Sequence, residues 1–215
     1  MELADENATV ATALTEINRS AALTDVDGAP VGHVYWECSC LQKKCGACAM
    51  RVNGVPMLAC DAQLSTLRQP VRLEPLKKFP VVADLIVDRS LLHENLNTMR
   101  VWLEEEARID RDEIADLAYE ASRCLQCGCC LEVCPNFIPG GMFAGTAGLP
   151  PMARLIAELP VARRRELYRT YTGRVFSGCG KSMACRDICP AGIDIERLLV
   201  NSNAVALWKR LLAKR

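Results

Sequence analysis

The sequence carries no net charge, because 26 lysine and arginine residues balance 26 aspartate and glutamate residues. It also lacks a basic run interleaved with aromatic residues, and both absences argue against a nucleic-acid partner. No apolar stretch approaches the roughly 18 residues of a membrane-spanning helix, and no charged-then-apolar export segment is visible at the N-terminus. We therefore expect a protein that is soluble by itself and that associates with a membrane only through a partner.

Histidine is scarce, since His33 and His93 are the only two in the chain. We interpret His33 as a structural residue at a strand end and His93 as a surface or interface residue. We expect no catalytic residue in this chain.

Cysteine, by contrast, is abundant, with 13 residues. The odd count, the lack of an export segment and the long cysteine-free stretches argue against a disulfide framework. Eleven of the cysteines instead fall into spacing patterns that are typical of iron–sulfur proteins.

The first pattern is C-x4-C-x2-C-x11-C, the spacing of plant-type 2Fe–2S proteins. Small residues at Gly46 and Ala47 allow backbone N–H groups to approach the cluster sulfides. The dipeptide Asn53-Gly54 predicts a tight β-hairpin that returns the distant fourth cysteine beside the other three. The predicted 2Fe–2S ligands are Cys40, Cys45, Cys48 and Cys60.

The second pattern is C-x2-C-x2-C-x3-C-P, the bacterial ferredoxin spacing, whose fourth cysteine ligates the other of two clusters. It ends at Cys134-Pro135 and recurs up to Cys189-Pro190 with Ser182 in its second position. Exchange of the fourth cysteines predicts a 4Fe–4S cluster on Cys124, Cys127, Cys130 and Cys189. The other cluster is then left with three thiolates, Cys134, Cys179 and Cys185. Three thiolates suit a 3Fe–4S cluster, and the alternative is Ser182 as an oxygen ligand to a complete cube.

Structural zinc is the main alternative for the first group, because zinc also binds four cysteines. Zinc explains neither a group of three cysteines nor the two Cys-Pro endings. Two cysteines, Cys38 and Cys129, remain unassigned, and we expect them to be buried structural thiols. Cys38 could replace Cys40 as a ligand only by breaking the four-residue gap.

Hydrophobic periodicity places a domain boundary near residue 88, so that the predicted domains are 1–88 and 89–215. The first is expected to be a small mixed sheet crossed by one helix, and the second nearly all helix. Helices are predicted at 8–17, after Ser90 as N-cap, and at 111–123, 151–171 (broken at Pro160) and 194–212. Further strands are predicted within 70–75 and at 85–87, and 139–151 is expected to be a loop because it is rich in glycine and proline.

The motifs Cys40-Leu-Gln-Lys-Lys-Cys45-Gly-Ala-Cys48, Cys124-Leu-Gln-Cys127-Gly-Cys-Cys130 and the two Cys-Pro endings resemble the iron–sulfur subunit of succinate dehydrogenase and fumarate reductase. The likeness runs through nearly the whole chain and includes the stretch 70–89. It implies an α+β protein, with an N-terminal β-grasp 2Fe–2S ferredoxin-like domain followed by an all-α ferredoxin domain. The same resemblance implies that the second domain holds the 4Fe–4S and 3Fe–4S clusters on the cysteines assigned above.

The resemblance also implies an electron-transfer role in the tricarboxylic acid cycle or in anaerobic respiration. The partners would be a FAD-containing flavoprotein subunit, beside the 2Fe–2S cluster, and a membrane anchor of the cytochrome b type that binds quinone, beside the 3Fe–4S cluster. The subunit would be peripheral, at the cytoplasmic face of the membrane. Asn136 and Gly180 stand where ubiquinone-using members carry tryptophan and histidine, which favours menaquinone.

Members of the family usually begin with a β-hairpin before the first helix, whereas only Met1 to Thr9 precede it here. We expect either that the first strand is absent or that the chain is truncated relative to its relatives. The basic and apolar stretch 204–215 is interpreted as a helix packed on its own domain, with docking at lipid headgroups as the alternative. Two other functions remain open: a free multi-cluster carrier, and a subunit of a related reductase such as a thiol:fumarate enzyme.

Overall fold

The structure, a computed structural model, describes residues 6–20, 23–103, 112–159 and 164–208. Contacts divide the chain into two compact units, Met1–Asp88 and Arg89–Arg215. Within the described ranges, no helix is long and apolar enough to cross a membrane.

The first unit is organised around helix α1 (Val10–Arg19), whose N-terminus is capped by Thr9. The side-chain oxygen of Thr9 accepts a hydrogen bond of 3.2 Å from the Thr12 amide, which satisfies one of the free N–H groups at the helix start. Two further N–H groups donate to carbonyl oxygens near Cys60: Val10 to Ala62 over 2.9 Å and Ala11 to Ala59 over 3.0 Å. The buried start of α1 therefore anchors the segment that carries Cys60.

Two small antiparallel sheets complete the first unit. Strands β1 (Ala49–Val52), β2 (Val55–Leu58) and β3 (Leu73–Glu74) lie in the order β2-β1-β3, and β4 (Val81–Ala83) pairs with β5 (Ile86–Val87). The predicted hairpin is confirmed: Asn53 and Gly54 join β1 to β2 with φ of 50° and 86°, the left-handed pair that a tight hairpin turn requires. All described strand pairs are antiparallel, so the expectation of a mixed sheet was wrong.

The second unit is helical, and its longer helices pack around one apolar core. The helices are α2 (Ser90–Met99), α3 (Asp112–Ser122), α4 (Cys129–Glu132), α5 (Leu149–Glu158), α6 (Arg164–Tyr171) and α7 (Ile195–Asn203). A 3₁₀ turn covers Thr146–Gly148, and π-helical turns extend α6 over Thr172–Phe176 and α7 over Ala204–Trp208. The core includes Leu149, Met152, Tyr171 and Leu198.

Two local predictions need correction. Ser90 is the first residue of α2 rather than its N-cap, and Arg89 occupies the cap position without a side-chain hydrogen bond. The segment 139–151 is not a loop throughout, because the 3₁₀ turn and α5 begin within it. Proline is tolerated there since the first turn of a helix needs no N–H donors.

The last predicted helix begins one residue later than expected, at Ile195. Asp194 is its N-cap, and its carboxylate accepts a hydrogen bond of 2.9 Å from the Arg197 amide. Of the stretch 204–215, for which a packed helix was predicted, the structure describes only the residues up to Trp208, which is 59% exposed. The rest of that stretch lies outside the described residues.

Candidate functional site

The loop around the first cysteine group curls through residues in left-handed conformation. Leu41 and Lys43 have φ of 52° and 59°, values that residues with a Cβ adopt only rarely. The curl turns three consecutive amide N–H groups toward the cysteine sulfurs: Gln42 and Lys44 donate to Cys40 Sγ, and Lys43 donates to Cys60 Sγ, each over 3.3 Å. N–H donors of this kind stabilise thiolate sulfur.

The fourth cysteine of this group reaches the loop through the hairpin. The Ala59 amide donates to the Cys48 carbonyl over 3.0 Å, which aligns the end of β2 with the residue before β1. The side chains of Cys48 and Cys60 interact directly, as do those of Cys40 and Cys45. The structure therefore brings together the four cysteines that the spacing selected, Cys40, Cys45, Cys48 and Cys60.

The thiols of this group differ in their surroundings. Hydrogen bonds from the Gln42 and Lys44 amides lower the pKa of Cys40 to about 7, while burial raises the pKa of Cys48 to about 12. Metal ligation requires thiolates. Cys40 loses its proton readily, whereas the buried Cys48 depends on a nearby cation to stabilise its negative charge. Cys38 is exposed, which corrects the expectation that it is a buried structural thiol.

In the second unit, one cavity is lined by the four cysteines predicted for a 4Fe–4S cluster: Cys124, Cys127, Cys130 and Cys189. Gly128, with φ of 86°, turns the chain between the second and third of these and starts the short helix α4. The rest of the wall is largely apolar and includes Ala147, Pro150 and Ile193.

A second cavity is lined by the three remaining cysteines, Cys134, Cys179 and Cys185, and by Ser182. The apolar part of its wall is formed by Phe143, Val175 and Leu199. Two residues line both cavities, Thr146 and Ile195. The two cavities are thus neighbours, and they exchange one cysteine each. Cys189 lines the first cavity although it follows Cys179 and Cys185 in the chain, and Cys134 lines the second cavity although it follows Cys124, Cys127 and Cys130. All seven cysteines predicted as ligands in this unit line the cavity of the cluster to which they were assigned.

Burial dominates the electrostatics of these cavities. It raises the pKa of Cys124 to about 11, that of Cys130 well above its ordinary value, and that of Cys185 as well. Cys127 differs, because a hydrogen bond with the side chain of Cys129 lowers its pKa to about 7. Cys129 is fully buried, which confirms that expectation.

The residues present fit iron–sulfur clusters. Groups of three and four thiols face apolar cavities, where thiolates are stable only beside compensating cations. In the described ranges, no three Cys, His, Asp or Glu side chains meet closely enough to share a single metal ion. An iron–sulfur cluster needs its cysteine sulfurs farther apart than a single metal ion does, because its thiolates are distributed over more than one iron atom.

Sequence reasoning missed two features of these sites. Gln126 donates a hydrogen bond to a cysteine sulfur, and Thr146 bonds Cys185 through its side chain. Neither residue belongs to a cysteine spacing pattern, and Thr146 fell in the segment expected to be a loop. Only the position of Gln126 between two cysteines of the C-x2-C pattern could have indicated the hydrogen bond to sulfur.

Comparison with known proteins agrees with this chemistry. Residues 1–94 match a 2Fe–2S iron–sulfur cluster binding domain, and residues 120–193 match a 4Fe–4S dicluster domain. The chain is 36% identical to the succinate dehydrogenase iron–sulfur subunit of Bacillus subtilis, over 92% of this chain and 81% of that protein. It is 31% identical to the fumarate reductase iron–sulfur subunit of Wolinella succinogenes, over 71% and 69% respectively.

A solved structure of the Mycobacterium smegmatis Sdh1 complex in the apo form contains a chain of similar fold. The TM-score is 0.65, the sequence identity is 24%, and the match covers 79% of this chain and 77% of that one. The fold and the two domain matches define a ferredoxin-type iron–sulfur protein, with a 2Fe–2S domain followed by a helical domain for two further clusters. The chain belongs to the family of iron–sulfur subunits of succinate dehydrogenase and fumarate reductase.

These findings confirm the resemblance drawn from the motifs and the α+β fold class. They also confirm iron–sulfur clusters of the 2Fe–2S and 4Fe–4S types as the cofactors.

Proposed function

We propose that this chain is the electron-transfer subunit of a succinate:quinone or quinol:fumarate oxidoreductase. It relays electrons between a FAD-containing flavoprotein, where succinate and fumarate interconvert, and a membrane anchor of the cytochrome b type. The observation that carries the proposal is the pair of neighbouring cavities, which share Thr146 and Ile195 and are lined by interleaved cysteines. Two redox groups bound in these cavities are separated only by shared wall residues, an arrangement that suits transfer of electrons from one group to the other.

Each cluster is assigned by the cysteines that the chain brings together. The 2Fe–2S cluster is bound by Cys40, Cys45, Cys48 and Cys60, within the domain 1–88. The domain 89–215 binds the 4Fe–4S cluster through Cys124, Cys127, Cys130 and Cys189, and the 3Fe–4S cluster through Cys134, Cys179 and Cys185. The division of contacts between Asp88 and Arg89 supports the domain boundary, and the serine at 182 in the second cavity supports a cluster with three thiolates.

When bound, the clusters accept and donate single electrons, and the chain's own residues set the conditions for that exchange. The amides of Gln42, Lys43 and Lys44 donate to sulfur in the first unit, and such hydrogen bonds raise a cluster's reduction potential. The walls of the two cavities in the second unit are largely apolar, which lowers the polarity around the cysteine sulfurs. The chain performs no substrate chemistry itself.

The quinone end of the relay is assigned to the second cavity, with menaquinone as the quinone. Asn136 and Gly180 both line this cavity. A Cβ on Gly180 would lie 2.9 Å from the side-chain amide of Asn136, so a histidine at 180 requires Asn136 to move. The menaquinone assignment rests on the resemblance, because these two residues stand where ubiquinone-using members carry tryptophan and histidine. The subunit is then peripheral, at the cytoplasmic face of the membrane.

The test is to coexpress the chain with a flavoprotein and a membrane anchor of the succinate dehydrogenase type from the same organism and to purify the complex anaerobically. We expect three electron paramagnetic resonance (EPR) signals, with the 3Fe–4S signal present in the oxidised complex. We also expect succinate oxidation or fumarate reduction that is faster with a menaquinone analogue than with a ubiquinone analogue. A chain that carries its clusters but joins neither partner would instead be a free carrier, and fumarate reduction that depends on added thiols would indicate the related reductase.

A further inference from the structure

Gln126 lies between two ligands of the proposed 4Fe–4S cluster, and its side chain contacts both the cysteine loop and the wall opposite. Its Nε2 atom donates to Cys124 Sγ over 3.2 Å and to the Ala147 carbonyl oxygen over 3.1 Å. Ala147 belongs to the 3₁₀ turn Thr146–Gly148, and it lines the same cavity as Cys124 and Gln126. The side chain therefore bridges two elements at the edge of that cavity.

The orientation of this amide is determined by its neighbours. A ligating Cys124 is a thiolate and accepts hydrogen bonds only, and the Ala147 carbonyl also only accepts. Only the NH₂ end of the glutamine, with its two hydrogens, can satisfy both atoms at once. Its Oε1 atom is buried without a hydrogen-bond partner, a cost that a purely space-filling residue would not incur.

The backbone of Gln126 is also held in an uncommon conformation. Its φ is 50°, in the left-handed region that residues with a Cβ disfavour. A leucine or methionine at this position could fill the same volume without a buried oxygen, but it could not donate to sulfur.

We propose that Gln126 tunes the reduction potential of the 4Fe–4S cluster by donating its side-chain N–H to the Cys124 thiolate. This inference rests on the proposed function, since it requires that Cys124 ligates that cluster. Reduction adds negative charge to the cluster and its sulfurs, so an N–H donor stabilises the reduced form more than the oxidised form. Gln126 therefore raises the potential of this cluster relative to a protein without the donor.

The experiment compares the full chain with the variants Gln126→Met and Gln126→Leu in redox titrations followed by EPR. Both substitutions remove the donor: methionine keeps the length of the side chain, and leucine replaces it with a shorter, branched one. We expect the equilibrium for one-electron reduction of the 4Fe–4S cluster to shift about tenfold toward the oxidised form. That change corresponds to a potential about 59 mV lower.

The matched control is Ser122→Ala, close to Cys124 on the chain. The Ser122 hydroxyl is exposed and donates to the Tyr119 carbonyl over 2.7 Å rather than to sulfur, so its loss should leave every potential unchanged. The 3Fe–4S potential, measured in the same samples, should stay constant in all three variants.

Equal 4Fe–4S potentials in the wild type and both Gln126 variants would overturn the proposal. Loss of the 4Fe–4S signal from both variants would also overturn it, because Gln126 would then be needed for assembly rather than for tuning. A wild-type chain without any 4Fe–4S signal would instead contradict the proposed function, which separates the two failures.

Discussion

The backbone N–H of Lys43 donates a hydrogen bond of 3.3 Å to Sγ of Cys60. The loop that carries the first three cysteines is thereby joined to the fourth by a contact that involves no metal. Lys43 is held further by an ion pair of 2.6 Å between its Nζ and Asp61, the residue after Cys60. The protein part of this site is therefore largely preorganised, which lowers the conformational cost of binding a cluster.

The first prediction separates Cys40 from Cys38. Cys40→Ala should lose the 2Fe–2S signal, because it removes one of the four proposed ligands. The sulfur of that ligand accepts hydrogen bonds from the Gln42 and Lys44 amides. The other two clusters should remain, since their cysteines belong to the other compact unit. Cys38→Ala is the matched control and should retain all three signals in EPR spectra of the reduced and oxidised protein. Loss of the 2Fe–2S signal from the Cys38 variant alone would reverse the ligand assignment.

The second prediction concerns the missing fourth cysteine of the second cavity. Ser182→Cys should convert the 3Fe–4S cluster into a 4Fe–4S cluster of lower potential, because it adds a thiolate to a cavity lined by three. The measurement is the EPR signal of the oxidised protein, which should disappear, together with the iron content, which should rise. Ser177→Cys introduces a thiol on the same segment, at an exposed serine, and should leave the signal as it is. An unchanged signal in the Ser182 variant would contradict the assignment.

The third prediction compares two glycines of positive φ. Gly145 and Gly140 have φ of 68° and 75°, and Gly145 combines this with ψ of −170°, a region essentially restricted to glycine. Alanine at either position should therefore cost roughly 1–3 kcal/mol of strain. At Gly145 a Cβ would also overlap the side chain of Leu131, whereas at Gly140 it would meet nothing within 4 Å. Gly145→Ala should therefore lose roughly a further 1–3 kcal/mol through overpacking. Thermal unfolding followed by circular dichroism should show the lower midpoint for Gly145→Ala, and equal midpoints would contradict this packing argument.

The fourth prediction tests the contact between Asn95 on α2 and Arg174 in the π-helical turn. Asn95 is 7% exposed, and its Oδ1 accepts a hydrogen bond of 2.7 Å from Arg174 Nη2. Asn95→Ala should destabilise the protein by about 1–3 kcal/mol, because the charged donor loses its acceptor in a partly buried site. Asn201→Ala serves as control, since Asn201 is exposed and bonds only its own helix. The prediction is wrong if thermal unfolding midpoints of the two variants agree.

Much of the site was predictable because cysteine spacing is a local property of the chain. A loop of fixed length can place its thiols around a small cluster in only a few ways, so the intervals between Cys40 and Cys48 restrict the chemistry strongly. The hairpin at Asn53-Gly54 was predictable for a similar reason, since few other dipeptides accept two left-handed residues.

Other features had no local signal. Leu41, Lys43 and Gln126 adopt left-handed conformations that their residue types disfavour, and only the surrounding contacts hold them there. The start of α5 was predicted as a loop because glycine and proline dominate its sequence. Burial of Leu149 and Met152 in the core outweighs that composition, as tertiary packing commonly does for weak local preferences.

By itself, the sequence determined which cysteines form sets and that one position of the repeated pattern holds serine instead of cysteine. The spacing of ligands along the chain carries that information without reference to the rest of the molecule. The tertiary structure alone decided what surrounds the sulfurs: which amides donate to them, how deeply burial disfavours their charge, and that Gln126 reaches Cys124. Some of these contacts come from residues distant in the sequence, such as Ala147. The donors that are close in sequence, such as Gln126, are aimed at sulfur by backbone conformations that the packing of the surrounding residues holds.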